Sequence, residues 1–177
     1  MQNNPDQLPT WDEFLKPLLE LAGVGAIMRR TSVQKIAEKY AFSEEIRSSR
    51  TKSGQTHIQN RAGWAMSALV KAKFIEKHPT EKFTYQITTI GSEYLKAHSG
   101  PITDQDLKNL KGYEEAWEAA SRKKQSSKSE APQSGNSLAQ STPDDLIDTA
   151  YNKLHRSLAD ELLENMFAMD PYKFEQL

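Results

Sequence analysis

The chain has 177 residues, 37% of them apolar, which suits one modest core with appendages and excludes two large domains. Its 23 basic and 24 acidic side chains leave a formal net charge of −1, so the total argues neither for nor against a nucleic-acid partner. The absence of cysteine excludes a disulfide scaffold and thiolate-bound zinc. No apolar run approaches the roughly 20 residues of a membrane span, and the N-terminus lacks a signal-peptide pattern; a soluble, cytoplasmic protein with no membrane partner is expected.

The first helix is announced by Thr10, with Glu13 three residues on in the reciprocal capping-box spacing. Phe14, Leu15, Leu18, Leu19 and Ala22 supply its apolar face, Pro17 should kink it or delay its regular part, and Gly23 and Gly25 end it. Ala26-Ile27-Met28 reads as a short strand. Thr31 with Gln34 repeats the capping spacing and opens a second helix, whose buried stripe is Val33, Ile36, Ala37 and Tyr40. One or two helical turns over 43–49 lead to a basic loop, Arg50-Thr51-Lys52-Ser53-Gly54.

A third helix is expected from about Gln55 to Lys73. At about 100° per residue, Ile58, Ala62, Ala65, Leu69 and Ala72 fall on one side, and Thr56, Asn60, Gly63, Ser67 and Lys71 on the other. The first face is core and the second is small and polar. Trp64, at the edge of the core face, reads as a packing residue. Alternation in 74–76 and 83–87 around His78-Pro79-Thr80-Glu81-Lys82 suits a hairpin, and Thr88 to Leu95 returns to helix. Helix, strand, helix, loop, helix, hairpin is the order of a winged helix-turn-helix domain, here residues 1–100.

Charge gathers in the same segment. Residues 46–82 hold eight bases against Glu76 and Glu81, a local +6, whereas 143–177 hold three bases against eight acids. Arg47, Arg50, Lys52 and Arg61, with the hydroxyls of Thr51 and Ser53, form a candidate phosphate clamp at the start of the third helix, joined by Lys77, His78 and Lys82 of the hairpin. Thr56, Gln59, Asn60 and Gly63 are candidate base-reading residues, since Asn and Gln suit adenine edges. A glycine inside a helix costs about 1 kcal/mol relative to alanine, so Gly63 marks a close approach, either by a nucleotide or by the packed first helix.

Residues 101–122 form a helical extension broken around Gly112, with Leu107, Leu110, Tyr113 and Trp117 as its apolar positions. The Ser- and Gln-rich stretch 123–142 reads as a disordered linker. Thr142-Pro143-Asp144-Asp145 then gives an N-cap, a proline at N1 and two first-turn acids, starting a helix over 143–169, roughly 40 Å long. Its stripe of Ile147, Leu154, Leu158 and Leu162 must dock on a second copy or on another domain. Asp170-Pro171 opens a further helix over 170–177. The fold class expected is therefore mainly α with a small β-hairpin: a winged helix followed by helical extensions and a long C-terminal helix.

Two stretches carry a resemblance. Asn60-Arg61-Ala62-Gly63-Trp64-Ala65, with Leu69-Val70-Lys71-Ala72 and the hairpin ending in Ile87-Thr88, resembles the Asn-Arg-x-Gly-Trp-Ala signature of the N-terminal winged-helix domain of Mrr-type, methylation-dependent restriction endonucleases. Residues 142–177 resemble the helix that joins this domain to the nuclease and the nuclease's own first helix. The resemblance implies a duplex-DNA partner, a preference for methylated bases, and a nuclease domain beyond this chain.

Such a nuclease uses Glu-x-Lys or Gln-x-Lys beside a divalent metal such as Mg, and neither triplet occurs in the 177 residues. No catalytic residue, cofactor or metal is therefore assigned here. The four histidines are scattered without helical i, i+4 spacing, which disfavours zinc. The rival reading is a winged-helix protein-interaction or oligomerisation module, with the 143–169 helix as the contact surface.

Overall fold

The computed structural model describes residues 8–125 and 141–168. The helix expected over 170–177 and most of the expected linker lie outside the described residues.

The backbone N–H of Thr10 donates to Glu13 Oε2 at 2.8 Å, half of the expected capping box, and the chain enters a 3-10 turn over Asp12–Phe14 before helix α1, Leu15–Val24. Pro17 falls in the first turn of α1, where no backbone donor is needed. Its effect is the delayed start, one of the two outcomes its position predicts. Strand β1, Ile27–Met28, runs directly into α2, Arg29–Lys39.

The second helix thus begins two residues ahead of the expected Thr31 cap. The hydroxyls of Thr31 and Ser32 donate backward to the Met28 carbonyl, at 3.0 and 2.8 Å, and do not cap forward. This early start places Arg29 inside the helix. Along α2, Ser32, Ile36 and Ala37 are buried, while Val33 and Tyr40 pack at the margin of the core.

A short helix α3, Glu44–Ser48, precedes the loop to α4, His57–Lys71. All five expected core positions of α4 and its C-cap, Ile58, Ala62, Ala65, Leu69 and Ala72, are buried. All but Ala62 join one core cluster with Phe14, Leu15, Leu18 and Leu19 of the first segment and Ile36 of α2. Full burial of each large apolar side chain contributes about 1.5–3 kcal/mol, so this three-helix contact is the mechanical base of α4.

Strands β2, Ile75–Lys77, and β3, Thr84–Ile87, form the hairpin, and β1 adds to its other side, giving an antiparallel sheet in the order β1-β3-β2. Ile27 pairs with Tyr85, and Ile75 with Ile87. Helix α5, Thr89–Ala97, closes the domain; a Cβ at Gly91 would collide with the Phe74 carbonyl, so only glycine lets α5 seat there. The whole is a winged-helix arrangement, with β2 and β3 as the wing.

Helices α6, Asp104–Lys108, and α7, Tyr113–Gln125, fold back onto this body through buried Ile102, Leu107 and Tyr113. The break between them is at Gly112, whose φ of +87° is the left-handed region glycine tolerates. Helix α7 runs three residues beyond the expected end at 122. Trp64 packs on Trp117 of α7, ring centroids 5.6 Å apart and nearly parallel, as a packing residue should. The long helix α8 spans Pro143–Ala168.

Candidate nucleic-acid interface

Helix α4 begins with a complete capping box. The Thr56 hydroxyl accepts from the Gln59 N–H at 3.2 Å, and Gln59 Oε1 accepts from the Thr56 N–H at 3.1 Å. Both side chains, expected to read bases, therefore hold the helix terminus. They line a groove between α2 and α4 together with Arg47, Val33 and Glu38. Arg47 itself ties α3 to the end of α2, donating to the carbonyls of Phe42 at 2.9 Å and Ala37 at 3.3 Å.

Away from the core, the polar side of α4 divides into two flanks. The first, His57, Asn60, Arg61 and Trp64, is covered by α7 and by the first turn of α8. Thr142 caps α8: its hydroxyl accepts from the Asp145 N–H, while its own N–H and hydroxyl donate to Asp145 Oδ2 at 3.0 and 2.9 Å. This fixes three aspartates against α4 and its preceding loop. Asp144 Oδ2 accepts from Ser53 Oγ at 3.3 Å, Gln55 Nε2 at 3.0 Å and Asn60 Nδ2 at 2.6 Å.

Asp145 Oδ2 accepts from Arg61 Nε at 3.2 Å, and its Oδ1 lies 3.3 Å from His57 Nδ1. The other ring nitrogen of His57 lies 3.6 Å from Asp148 Oδ2, and Asp148 Oδ1 accepts from the Lys52 backbone N–H at 3.2 Å. The Lys52 ammonium sits 3.9 Å over the Tyr151 ring. Burial raises the carboxyl pKa of Asp145, but the Thr142 N–H, the Arg61 guanidinium and the Thr142 hydroxyl outweigh it and hold the group below the usual carboxylate range.

The expectation that Asn60 faces a groove is not met: only 4% of it is exposed, and its Oδ1 is buried without a partner. Arg61 also donates to the carbonyls of Leu8 and Pro9, at 3.0 and 2.5 Å, fastening the N-terminal segment. Thr51, expected at a phosphate, is buried and bonds within the loop to Ser53 Oγ and the Gln55 carbonyl. Arg50 donates to the Gly54 carbonyl at 2.8 Å, bracing the same loop. Lys52, Ser53, Asn60 and Arg61 are thus brought together, around carboxylates of their own chain.

The second flank, Gln59, Gly63 and Ser67, is open to solvent or half-buried. Across it lies Arg29, whose Nη2 donates to the Gln59 carbonyl at 3.1 Å. A Cβ at Gly63 would overlap the Arg29 guanidinium, so the close approach that Gly63 marks is made by this side chain, and not by the first helix. Arg29, Gly63, Ser67 and Lys71 share a pocket with Lys77 and Tyr85 of the wing. The Lys71 ammonium lies 3.4 Å from the Trp117 ring centroid.

At the wing turn, His78 Nδ1 accepts from the Glu81 N–H at 3.2 Å, which makes the imidazole a turn organiser. Lys82 is exposed on the same turn. The neighbouring Phe83 has a φ of +61° and is 85% exposed, so the wing carries an apolar side chain into solvent. Among the described residues no group of three His, Asp or Glu could hold a metal ion, and no helix is long and apolar enough to cross a membrane.

Arg29, Lys71 and Phe83 are absent from the sequence-derived set, as are Gln55, His57 and the three aspartates. The one local signal for Arg29 was its partner, a glycine inside a helix. Asp144 and Asp145 were legible as first-turn acids of α8 but not as ligands of α4, and Asp148 carried no such signal.

Comparison with known proteins accords with this geometry. Residues 11–97 match the family model of the Mrr N-terminal domain, a span that contains α1 to α5 and the sheet. Over 179 aligned residues the chain is 30% identical to the type IV methyl-directed restriction enzyme EcoKMrr of Escherichia coli strain K12, covering 95% of this chain and 56% of that enzyme. The chain thus spans little more than half the length of this curated relative. No solved structure matches the chain. It is through residues 11–97 that the chain is similar to the Mrr N-terminal domain family.

Proposed function

We propose that the chain is the duplex-DNA-binding, target-recognition module of an Mrr-like restriction endonuclease. The observation that carries this reading is the cationic open flank of α4: Arg29 laid over Gly63, beside Lys71 and Lys77, at the helix that winged-helix domains place in the major groove. Arg29 and Ser67 are assigned to base edges and the adjoining backbone. Lys71, Lys77 and Lys82 are assigned to phosphates, and Phe83 to the sugar or minor-groove side reached by the wing.

The relative is described as methyl-directed. By this reading the module senses base modification through the same flank, where a methyl group in the major groove would meet Tyr85 and the aliphatic part of Arg29. Strand cleavage, and a divalent metal such as Mg to support it, are assigned to a nuclease domain and not to residues 1–177. A DNA partner and the likeness to a restriction enzyme support a cytoplasmic location.

Titration of a fluorescent duplex with the chain at several salt concentrations tests the assignment. About three phosphate contacts predict a log-log slope of affinity against salt near −3. Absent or salt-independent binding overturns it. Parallel titrations with methylated and unmodified duplexes of one sequence test the finer claim, with tighter binding of the methylated form expected.

One observation favours a partner-binding role beside this one. Ile147, Leu154, Leu158 and Leu162 of α8 are 56%, 59%, 53% and 62% exposed, an apolar stripe suited to a second copy or to a further domain.

A further inference from the structure

The groups that hold the first turn of α8 make a site of definite chemistry. Ser53 Oγ, Gln55 Nε2 and Asn60 Nδ2 converge on one oxygen, Asp144 Oδ2, from the loop before α4 and from its first turn. Arg61 and the Lys52 backbone N–H serve the neighbouring carboxylates, and the Lys52 ammonium lies alongside. Three converging donors at the positive end of a 15-residue helix, flanked by two cations, form a cradle for an oxyanion. Asn60, within it, is more than nine-tenths buried and retains an orphaned Oδ1.

We propose that this cradle is a phosphate subsite of the DNA interface, and that the first turn of α8 occupies it in competition with DNA. This rests on the duplex-binding reading above. A carboxylate oxygen and a phosphate oxygen ask the same things of their surroundings: positive potential and converging donors. The cradle lies at the N-terminal end of α4, next to the flank assigned to the groove, where a winged helix meets the sugar-phosphate strand. In the closed arrangement Asp144 stands in for that phosphate.

The docking has the character of an exchangeable contact. It is polar: Leu146 and Ile147, which flank the aspartates, are 38% and 56% exposed and add little apolar hold. The described side chains from Tyr151 to Glu164 are all exposed, and Tyr151 among them touches the body only through the Lys52 ammonium over its ring, itself a polar contact. Asn60 Oδ1 is left unsatisfied, a cost that a permanent anchor has no reason to keep. The cap that starts α8 comes from Thr142 and Asp145 of the same segment, so α8 keeps its N-terminus as a helix when it leaves.

The chain has no cysteine, which permits a test that separates charge from occupancy. In the full chain carrying S53C and D144C, a short bis-maleimide locks the first turn of α8 onto the loop. The bridged protein is expected to bind a fluorescent duplex about tenfold more weakly than the same protein unbridged, the span of one clamped or freed binding-competent state.

A second comparison uses charge. D144N with D148N is expected to tighten binding severalfold more than D160N with E164Q, which removes equal charge from the exposed part of α8. In the D144N/D148N background, adding Q55A should then weaken binding, since Gln55 has become a phosphate ligand. Equal affinities of bridged and unbridged protein, or equal effects of the two neutralised pairs, with duplex binding intact, overturn the exclusion while leaving the DNA reading standing. Loss of duplex binding in every protein, including the unsubstituted chain, removes the DNA reading and the cradle's ligand with it.

Discussion

The two polar flanks of helix α4 carry similar residue types and have opposite fates. His57, Asn60 and Arg61 are half-buried or buried beneath α8, their polar atoms facing aspartates. Gln59, Gly63 and Ser67, on the adjoining flank of the same helix, lie open or half-buried beside a single arginine. Nothing intrinsic to an Asn or a Gln on α4 decides between these outcomes. The direction in which each Cβ points does, because α7 and α8 occupy one side of the helix and the wing frames the other. A cationic surface legible as one patch in the sequence is thus two: one neutralised from within, and one presented outward.

The largest effect expected from breaking this contrast is on stability. Arg61→Ala leaves Asp145 without its guanidinium partner and leaves two carbonyls of the N-terminal segment unpaired. Removing one member of such a poorly exposed pair destabilises by about 3 kcal/mol, to be read from denaturant or thermal melts. An unchanged melt together with weakened DNA binding would move Arg61 to the outward side of the comparison.

On the open flank the order of effects reverses. Arg29→Ala should leave the melt almost unchanged and weaken duplex binding about tenfold, roughly 1.4 kcal/mol. Because Gly63 is proposed to act through Arg29, Gly63→Ala should weaken binding in the unsubstituted protein and have no effect on it in the Arg29→Ala background. There the added Cβ should stabilise the fold by up to about 1 kcal/mol, the ordinary helical preference for alanine. A Gly63→Ala penalty of equal size in both backgrounds would show that the glycine serves the nucleotide directly.

The smallest effect distinguishes the flanks by pH. The Asp145 carboxyl titrates below the ordinary aspartate value of 3.8, facing Arg61, His57 and Thr142. Its contribution to α8 docking is therefore complete above that value and is lost as pH falls through the lower, folded-state one. Amide exchange at the start of α8 should accelerate over this acid range before α4 opens. Simultaneous loss of both would mean that the docked turn is part of the core.

Much of the domain was legible one segment at a time. The N-cap at Thr142, the five buried positions of α4, the break at Gly112 and the packing role of Trp64 each follow from residues a turn or two apart, whereas Thr56 and Gln59, read as base contacts, prove to be a capping box. The missed start of α2 belongs to the same local scale: Thr31 and Gln34 fit a capping box, but β1 feeds Arg29 straight into helical geometry and the hydroxyls turn back to Met28. That error concealed Arg29, because a residue placed before the helix has no defined reach toward α4.

By itself the sequence determined the order of the elements, which helix faces are apolar, and that positive and negative charge are segregated along the chain. It could do so because caps, periodicity and composition are properties of neighbouring residues. Only the tertiary structure decided which polar side of α4 stays open. The Asp144 that meets Asn60 is 84 residues away, and the Arg29 that covers Gly63 is 34 away; such meetings depend on how packed elements aim their side chains in space, which no local pattern encodes.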